Sequence, residues 1–208
     1  MNKDKPVVFV IDDDSSVRAA LDSLIRSIQL NVQTFGTTEE FLYFKRPDAP
    51  GCVVLDVRLP GLSGLDFQRE MVKSNIDLPV IFITGHGDVP MSVRAIKAGA
   101  IEFLIKPFRD QDLIDAIYTG IERNRSQRQA VATFSEFQRR FHLLTARERQ
   151  IMLEVVSGRP NKQIAAKLKL SEFTVKVHRG HVMHKMKAKS LVDLVRMADE
   201  LQNCPKTA

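Results

Sequence analysis

Short apolar runs alternate with segments of helical period over the first 123 residues. The candidate strands are residues 7–11, 31–35, 52–55, 79–83 and 101–105. After the first run, Val17, Leu21 and Leu24 recur at helical spacing, as Phe67 and Met71 do further along. Such alternation is typical of βα units that build a parallel sheet with helices on both faces. We therefore predict an α/β fold, a doubly wound five-stranded parallel sheet of the flavodoxin-like type with strand order 2-1-3-4-5.

The pattern becomes purely helical after residue 123. The stretch from Glu122 to Arg140 contains no glycine or proline, and an apolar stripe at helical spacing runs through it. The stripe consists of Phe134, Phe137, Phe141 and Leu144. We predict a helical linker over residues 124–142, which can continue the last helix of the α/β domain. The stripe fits a coiled coil and, equally, packing on the C-terminal domain.

Residues 143–208 have the pattern of a small all-α domain. Thr145 and Glu148 have the spacing of a capping box, which marks the start of a first helix. A second helix begins at Asn161, and Ser171 precedes a third that runs to about Lys187. Two helices joined by a short turn in a basic segment are typical of a helix-turn-helix. The predicted domains are therefore residues 1–123, a linker over 124–142, and residues 143–208.

The charge of the 208-residue chain, +6 overall, is divided unevenly. Residues 1–124 contain 14 Lys and Arg against 18 Asp and Glu, whereas residues 143–208 contain 13 against 6. The C-terminal domain is thus the one expected to meet a polyanion. The first apolar run has five residues and ends in Asp12, too short for a signal-peptide core or a membrane span. Cys52 and Cys204 suggest no disulfide framework. We expect a cytoplasmic protein without a membrane partner.

Polar residues follow four of the predicted strands. The first ends in Asp12 and Asp13, the third in Asp56, the fourth in Thr84, and the fifth in Lys106. Open parallel sheets bind ligands beyond the carboxyl ends of their strands, so these side chains should converge on one crevice. Converging carboxylates repel each other unless a cation is present, and a hard ion that prefers oxygen ligands, such as Mg²⁺, suits them.

Such an edge is suited to receiving a phosphoryl group. Asp56 is the candidate nucleophile, with Lys106 neutralising the phosphoryl oxygens and Thr84 donating a hydrogen bond to one of them. The predicted Mg²⁺ ligands are Asp13 and Asp56, with Asp12 binding directly or through water and the Arg58 carbonyl as a further ligand. Taken singly, Asp12 and Asp13 are better explained as helix caps and Lys106 as a surface charge, but four such coincidences at four strand ends make that explanation poor.

These residues resemble the receiver domain of two-component response regulators. The resemblance rests on Ile11-Asp12-Asp13, Leu55-Asp56, Pro60-Gly61, Thr84 and Lys106-Pro107, and the segment from Gly85 to Met91 resembles the FixJ subgroup. It implies that a histidine kinase phosphorylates Asp56, that Thr84 and Phe103 form the switch, and that the Lys106-Pro107 bond is cis. A homodimer surface near Val93 and Lys97 is expected after phosphorylation. The subgroup also suggests control of aromatic-hydrocarbon catabolism, such as styrene or toluene degradation.

The third helix of the C-terminal domain has one core side and one free side. At 100° per residue, Val175, Val182 and Met186 lie on the core side. The residues predicted to face the bases of double-stranded DNA are Lys176, Val177 and Gly180, and those predicted to contact phosphates are Lys162, His178 and Arg179. Gly180 is explained either by a close approach to DNA or by tolerance.

Three histidines, His178, His181 and His184, recur every three residues in that helix. They spread over about 120° of its circumference and have no cysteine or carboxylate partner at ligand spacing, which disfavours a metal site. Phosphate contact, packing or solvent exposure is the expected role of these side chains.

The C-terminal segment resembles the LuxR/NarL-type DNA-binding domain. The matching motifs are Leu144 to Glu148, Asn161 to Ala165 and Thr174 to Arg179, and the resemblance implies a fourth helix over residues 190–201. The implied function is a response regulator that binds promoter DNA when phosphorylated and activates transcription through RNA polymerase, without being an enzyme. Two alternatives remain. One is an enzyme, either flavodoxin-like, whose flavin phosphate Asp12 to Asp14 would repel without a metal, or a phosphohydrolase, which would need a second acid at Arg58; the other is an RNA-binding or protein-only output domain.

Overall fold

A computed structural model describes residues 5–202. These residues form two compact units, one reaching Arg128 and the other beginning at Gln129. Cys204 lies outside the described residues, whereas Cys52 is a buried free thiol whose pKa burial raises to about 12. Each unit is described by itself below.

The first unit is built on a five-stranded sheet. The strands are β1 (Val7–Ile11), β2 (Asn31–Phe35), β3 (Gly51–Asp56), β4 (Val80–Thr84) and β5 (Glu102–Ile105). Their order is β2-β1-β3-β4-β5 and every neighbouring pair is parallel. The residues of β1, β3 and β4 are buried throughout, as the continuous apolar runs indicated. The predicted fold class is confirmed.

Helices cover both faces of this sheet. They are α1 (Ser15–Ser27), α2 (Thr38–Tyr43), α3 (Gly64–Lys73), α4 (Val89–Lys97) and the first part of α5 (Asp110–His142). One apolar core contains Phe41 and Phe67, and a second on the opposite face contains Ile25 and Ile117. The short helix α2 was not predicted, because six residues are too few to show a helical period.

Helix α5 is 33 residues long and contains the whole predicted linker. Within the second unit, Phe137 and Leu144 are buried in the apolar core, and Phe141 packs against it. Three of the four stripe residues therefore pack in the C-terminal unit, in agreement with one of the two alternatives predicted from the sequence.

The second unit contains four further helices: α6 (Ala146–Val156), α7 (Asn161–Leu168), α8 (Glu172–Met186) and α9 (Leu191–Gln202). The predicted capping box begins α6, since Thr145 and Glu148 bond each other's backbone N–H. The turn between α7 and α8 contains Lys169 in the left-handed region, at φ 53°. Helix, turn and helix therefore follow each other as predicted, and α9 matches the helix that the resemblance implied.

Candidate functional site

The register of the sheet brings the polar strand ends together. Ile11 pairs with Leu55, so Asp12 and Asp56 end neighbouring strands at the same level. Asp56 in turn pairs with Ile83, the residue before Thr84. Thr84 pairs with Ile105 and accepts the N–H of Lys106 at its carbonyl, 2.7 Å away. Parallel pairing alone thus aligns the four positions along one edge.

Lys106 links two of the carboxylates. Its Nζ lies 2.7 Å from Asp12 Oδ2 and 3.0 Å from Asp56 Oδ1. The other oxygen of Asp56, Oδ2, accepts the backbone N–H of Arg58 at 2.6 Å. The Lys106-Pro107 peptide bond is cis, as the family resemblance implied. Lysine and two acids separated by up to 94 positions in sequence therefore form one charged cluster.

Burial and the neighbouring positive charge act on the pKa of Asp56 in opposite directions. Its side chain is 8% exposed, and that of Asp12 is 1% exposed. Burial raises the pKa of Asp56 above its ordinary value, even though Lys106 and the Arg58 N–H act in the opposite direction. The pKa of Lys106 is also raised, because its bonds to Asp12 and Asp56 outweigh burial, which lowers it. A poorly hydrated carboxylate beside a fixed ammonium is suited to attack an electron-poor centre.

The loop after β1 is held in place by a residue that was not predicted. The Arg18 guanidinium donates to the carbonyls of Asp12 and Asp13, at 2.7 and 2.9 Å. Asp12 Oδ1 also accepts the N–H of Asp14, which itself caps α1. The Asp13 side chain is exposed. An arginine one turn into the helix after an acidic loop was the available signal, since a long cation there can reach back to loop carbonyls.

The two proposed switch residues lie beside a glycine loop. Thr84 is fully buried and its Oγ1 accepts the N–H of His86 at 3.2 Å. Phe103 is half-buried and its ring centroid lies 6.3 Å from that of Phe82. A Cβ on Gly87 would lie 2.9 Å from the Phe103 ring and 3.2 Å from Thr84 Cγ2. The loop after β4 therefore packs against both residues, and a side chain at position 87 would clash with them.

An apolar surface surrounds the residues expected to form the dimer. Val93 is 44% exposed, Ile96 47% and Ile105 51%, and Lys97 is exposed between them in sequence. Helix α4 and strand β5, which carry them, are packed together. The predicted surface thus exists as an exposed patch, while pairing through it stays a prediction.

The free side of α8 carries most of the predicted DNA contacts. Val175, Val182 and Met186 are buried, as the helical wheel predicted. Lys176 is exposed, Val177 is 39% exposed, and a Cβ at Gly180 would meet open space. The three residues predicted to face the bases are therefore accessible on the surface of α8.

The predicted phosphate contacts differ from one another in the structure. Lys162 is exposed on α7. Arg179 is half-buried and donates to Asn161 Oδ1 at 2.6 Å, so its guanidinium already links α8 to the start of α7. His178 is half-buried too, and its Nδ1 is a buried atom without a hydrogen-bond partner among the described residues.

The structure gives two of the three histidines a carboxylate neighbour that the sequence did not reveal. The sequence offered no carboxylate partner at ligand spacing, yet Glu148 on α6 lies next to His178 and His181 on α8. One possible ligand atom from each of the three lies within 4.8 Å of the others. Spacing within one helix could not reveal this, because the carboxylate comes from a different helix.

Comparison with known proteins agrees with this geometry. Residues 8–118 match the response regulator receiver domain, and residues 142–198 match the bacterial regulatory proteins of the luxR family. The chain is 53% identical over 197 residues to nodulation protein W of Bradyrhizobium diazoefficiens, covering 95% of this chain and 87% of that protein. It is 46% identical over 206 residues to response regulator protein TmoT of Ectopseudomonas mendocina, covering 99% and 94%.

The chain belongs to the response regulators with a LuxR-type DNA-binding domain. A solved structure of the response regulator StyR has a TM-score of 0.84 and 47% identity, covering 94% of this chain and 99% of that one. Regulators named FixJ are also similar, in agreement with the subgroup resemblance. This response regulator is thus a transcription regulator of the two-component type and not an enzyme. Within residues 5–202, no helix combines the length and apolarity needed to cross a membrane.

Proposed function

We propose that this response regulator accepts a phosphoryl group on Asp56 from a histidine kinase and then binds double-stranded promoter DNA through α8. The observation that carries the proposal is the Lys106 ammonium within 3.0 Å of both Asp12 and Asp56 at the ends of three strands. Such an arrangement places a nucleophile and a fixed positive charge at one edge, which phosphoryl acceptance requires.

The reaction exchanges one bond for another. A carboxylate oxygen of Asp56 attacks phosphorus, the bond from phosphorus to the kinase's imidazole nitrogen breaks, and the imidazole leaves with the electron pair. Lys106 then faces the phosphoryl oxygens instead of an unmodified carboxylate, and the Thr84 hydroxyl donates a hydrogen bond to one of them. Arg18 keeps the acidic loop in position through its bonds to the Asp12 and Asp13 carbonyls.

The acidic edge also fits a bound Mg²⁺. Its donors are all oxygen atoms, the ligands that Mg²⁺ prefers, and the residues that would hold the ion are Asp12, Asp13, Asp56 and the carbonyl of Arg58. When bound, the ion supplies positive charge that offsets the charge of the incoming phosphoryl group.

The signal then passes through the loop after β4. Movement of Thr84 toward a phosphoryl oxygen removes the hydroxyl from the His86 N–H, and Phe103, which packs against the same loop at Gly87, moves with it. The patch around Val93 and Lys97 changes with it and pairs with a second copy. Dimerisation raises the effective concentration of the second DNA-binding unit, so each unit alone needs little affinity.

On DNA, Lys176, Val177 and Gly180 face base edges, and Lys162, His178 and Arg179 contact phosphates. The bound dimer recruits RNA polymerase and activates transcription in the cytoplasm. The functional domains are residues 1–123, the linker 124–142, and residues 143–208. Similarity to both a nodulation protein and TmoT selects no single set of genes, so control of aromatic-hydrocarbon catabolism stays a prediction.

Gel-shift titrations with genomic fragments test the proposal. Phosphorylated protein should shift specific fragments at a lower protein concentration than unphosphorylated protein. The Asp56→Asn variant should bind equally well with and without phosphoryl donor. Lys176→Ala should weaken specific binding by about 1–3 kcal/mol and random-sequence binding less. The matched control is Lys189→Ala, an exposed lysine outside α8. Equal losses on specific and random DNA would make Lys176 a phosphate contact, and preference for single-stranded RNA would contradict the DNA proposal.

A further inference from the structure

The second unit contains a cluster of one carboxylate and two imidazoles that neither phosphorylation nor base contact uses. It consists of Glu148 on α6 and of His178 and His181, one turn apart on α8. The Glu148 side chain is 3% exposed, and His181 Nδ1 lies 3.6 Å from its Oε1. That distance is too long for a hydrogen bond and close enough for two ligands of one ion.

The two oxygens of Glu148 have different surroundings. Oε2 accepts both the Thr145 N–H and the Lys185 ammonium, each at 2.7 Å. Oε1 is the oxygen directed toward His181. A carboxylate that caps a helix and binds a lysine through one oxygen therefore keeps the other available for a further cation.

His178 supplies an independent reason to expect a ligand. Its Nδ1 is buried and has no hydrogen-bond partner among residues 5–202. A buried polar atom without a partner costs free energy, so such atoms are rare unless an ion or water binds them. The His178 and His181 rings meet edge to face, at 89° with centroids 6.1 Å apart, a contact that gives the buried Nδ1 no hydrogen-bond partner.

We propose that Glu148, His178 and His181 bind a divalent ion of the zinc class, with solvent in the fourth position. Two imidazole nitrogens and one carboxylate oxygen are a known ligand set for Zn²⁺ with an open position. Bonds to zinc are about 2.0–2.2 Å long, so the ligand atoms must approach each other from their present spread. His181 is 58% exposed and is free to turn inward.

The bound ion would connect α6 to α8, the helix that carries the predicted base contacts. It would also engage His178, one of the predicted phosphate contacts. Lys185 limits the affinity, because its ammonium lies on the same carboxylate and repels a second cation. The site is thus weaker than a closed structural zinc site.

Competition titration of tag-free, chelator-treated full-length protein with Zn²⁺ tests the proposal, with Co²⁺ absorption as a report on four-coordinate geometry. His181→Ala should lower the affinity about tenfold or more and remove the Co²⁺ bands. His184→Ala is the matched control, since it removes an exposed histidine from the same helix and should change neither. Metal held by the receiver carboxylates is common to all variants and cancels in the comparison.

The Lys185→Met variant tests whether Glu148 is a metal ligand, because it removes the ammonium that competes with the ion for that carboxylate. Removing the competing ammonium should tighten Zn²⁺ binding several-fold and leave the Co²⁺ spectrum in place. Melting curves in the presence of chelator establish that each variant is folded, which is expected because His181 is on the surface. Wild-type affinity in His181→Ala, or equal losses in His181→Ala and His184→Ala, would overturn the proposal.

Discussion

Two buried carboxylates, Asp56 in the first unit and Glu148 in the second, face a lysine at similar distances but differ in their acidity. Asp56 Oδ1 lies 3.0 Å from Lys106 Nζ, and Glu148 Oε2 lies 2.7 Å from Lys185 Nζ. Yet the pKa of Asp56 is raised, whereas that of Glu148 is lowered to about 2. A lysine partner alone does not determine whether a buried acid is stable as an anion.

The difference lies in what else each carboxylate contacts. For both acids burial raises the pKa, but Glu148 has Lys185 to itself and also accepts the Thr145 N–H at the positive end of α6. Asp56 competes with the nearby Asp12 for Lys106, and the charge of Asp12 raises its pKa further. Glu148 is therefore an anion that its surroundings stabilise, whereas the groups around Asp56 offset its burial less fully.

Asp56→Asn should have the largest effect. Because Asn is not nucleophilic, Mg²⁺-dependent labelling by acetyl phosphate should fall below detection, while the fold persists with one fewer buried charge. The matched control is Asp66→Asn, an exposed acid of α3, which should keep wild-type labelling. If Asp56→Asn were still labelled, Asp56 would not be the phosphoryl acceptor, and its comparison with Glu148 would have no functional meaning.

Lys106→Met should produce the largest loss of stability. It leaves Asp12 and Asp56 buried without their shared cation, so the free energy of unfolding at neutral pH should fall by about 3 kcal/mol. Lys73→Met, which breaks the exposed pair with Glu70, should cost less than about 0.5 kcal/mol. Urea denaturation gives both values, and equal losses would mean that Lys106 is only a surface charge.

Lys185→Met should cost less than Lys106→Met, about 1–2 kcal/mol, because the Thr145 N–H continues to stabilise the Glu148 anion. Its side chain is also 33% exposed, and solvent screens the pair. The same denaturation series measures it. A loss larger than that of Lys106→Met would reverse the comparison.

The pH dependence of Glu148 should be the smallest effect. Its folded pKa, about 2, lies below the ordinary 4.5. Its stabilising contribution is therefore present above pH 4.5 and is lost as the pH falls toward 2. The free energy of unfolding should fall less steeply with decreasing pH in Glu148→Gln than in wild type. The difference in slope corresponds to the uptake of up to about one proton on unfolding. Identical slopes for wild type and Glu148→Gln would show that this carboxyl has an ordinary pKa.

Local patterns were enough to predict most of the fold. The buried strands were predicted because they appear in the sequence as continuous apolar runs. The exposed face of α8 was predicted from its helical periodicity, because Val175, Val182 and Met186 all lie in one core. Helix α2 was missed since its six residues span less than two turns. The convergence of Asp12, Asp56, Thr84 and Lys106 was predictable because parallel strands end at the same edge.

Two sets of side-chain contacts were not predicted. The bonds from Arg18 to the acidic loop depend on the direction of one long side chain. Glu148 meets His178 and His181 only because α6 packs on α8. The Glu148 contacts arise from tertiary packing, and no spacing along the chain encodes them, whereas the position of Arg18 one turn into the helix after the acidic loop was a usable signal.

The identity of the residue that receives the phosphoryl group is tested most directly by chemical trapping. Protein incubated with acetyl phosphate and Mg²⁺ is treated with borohydride, which reduces an aspartyl phosphate to homoserine, and peptides are then mapped by mass spectrometry. We predict homoserine at position 56 alone. Homoserine at position 12 or 13, or its absence from a protein that carries label, would contradict the assignment of Asp56.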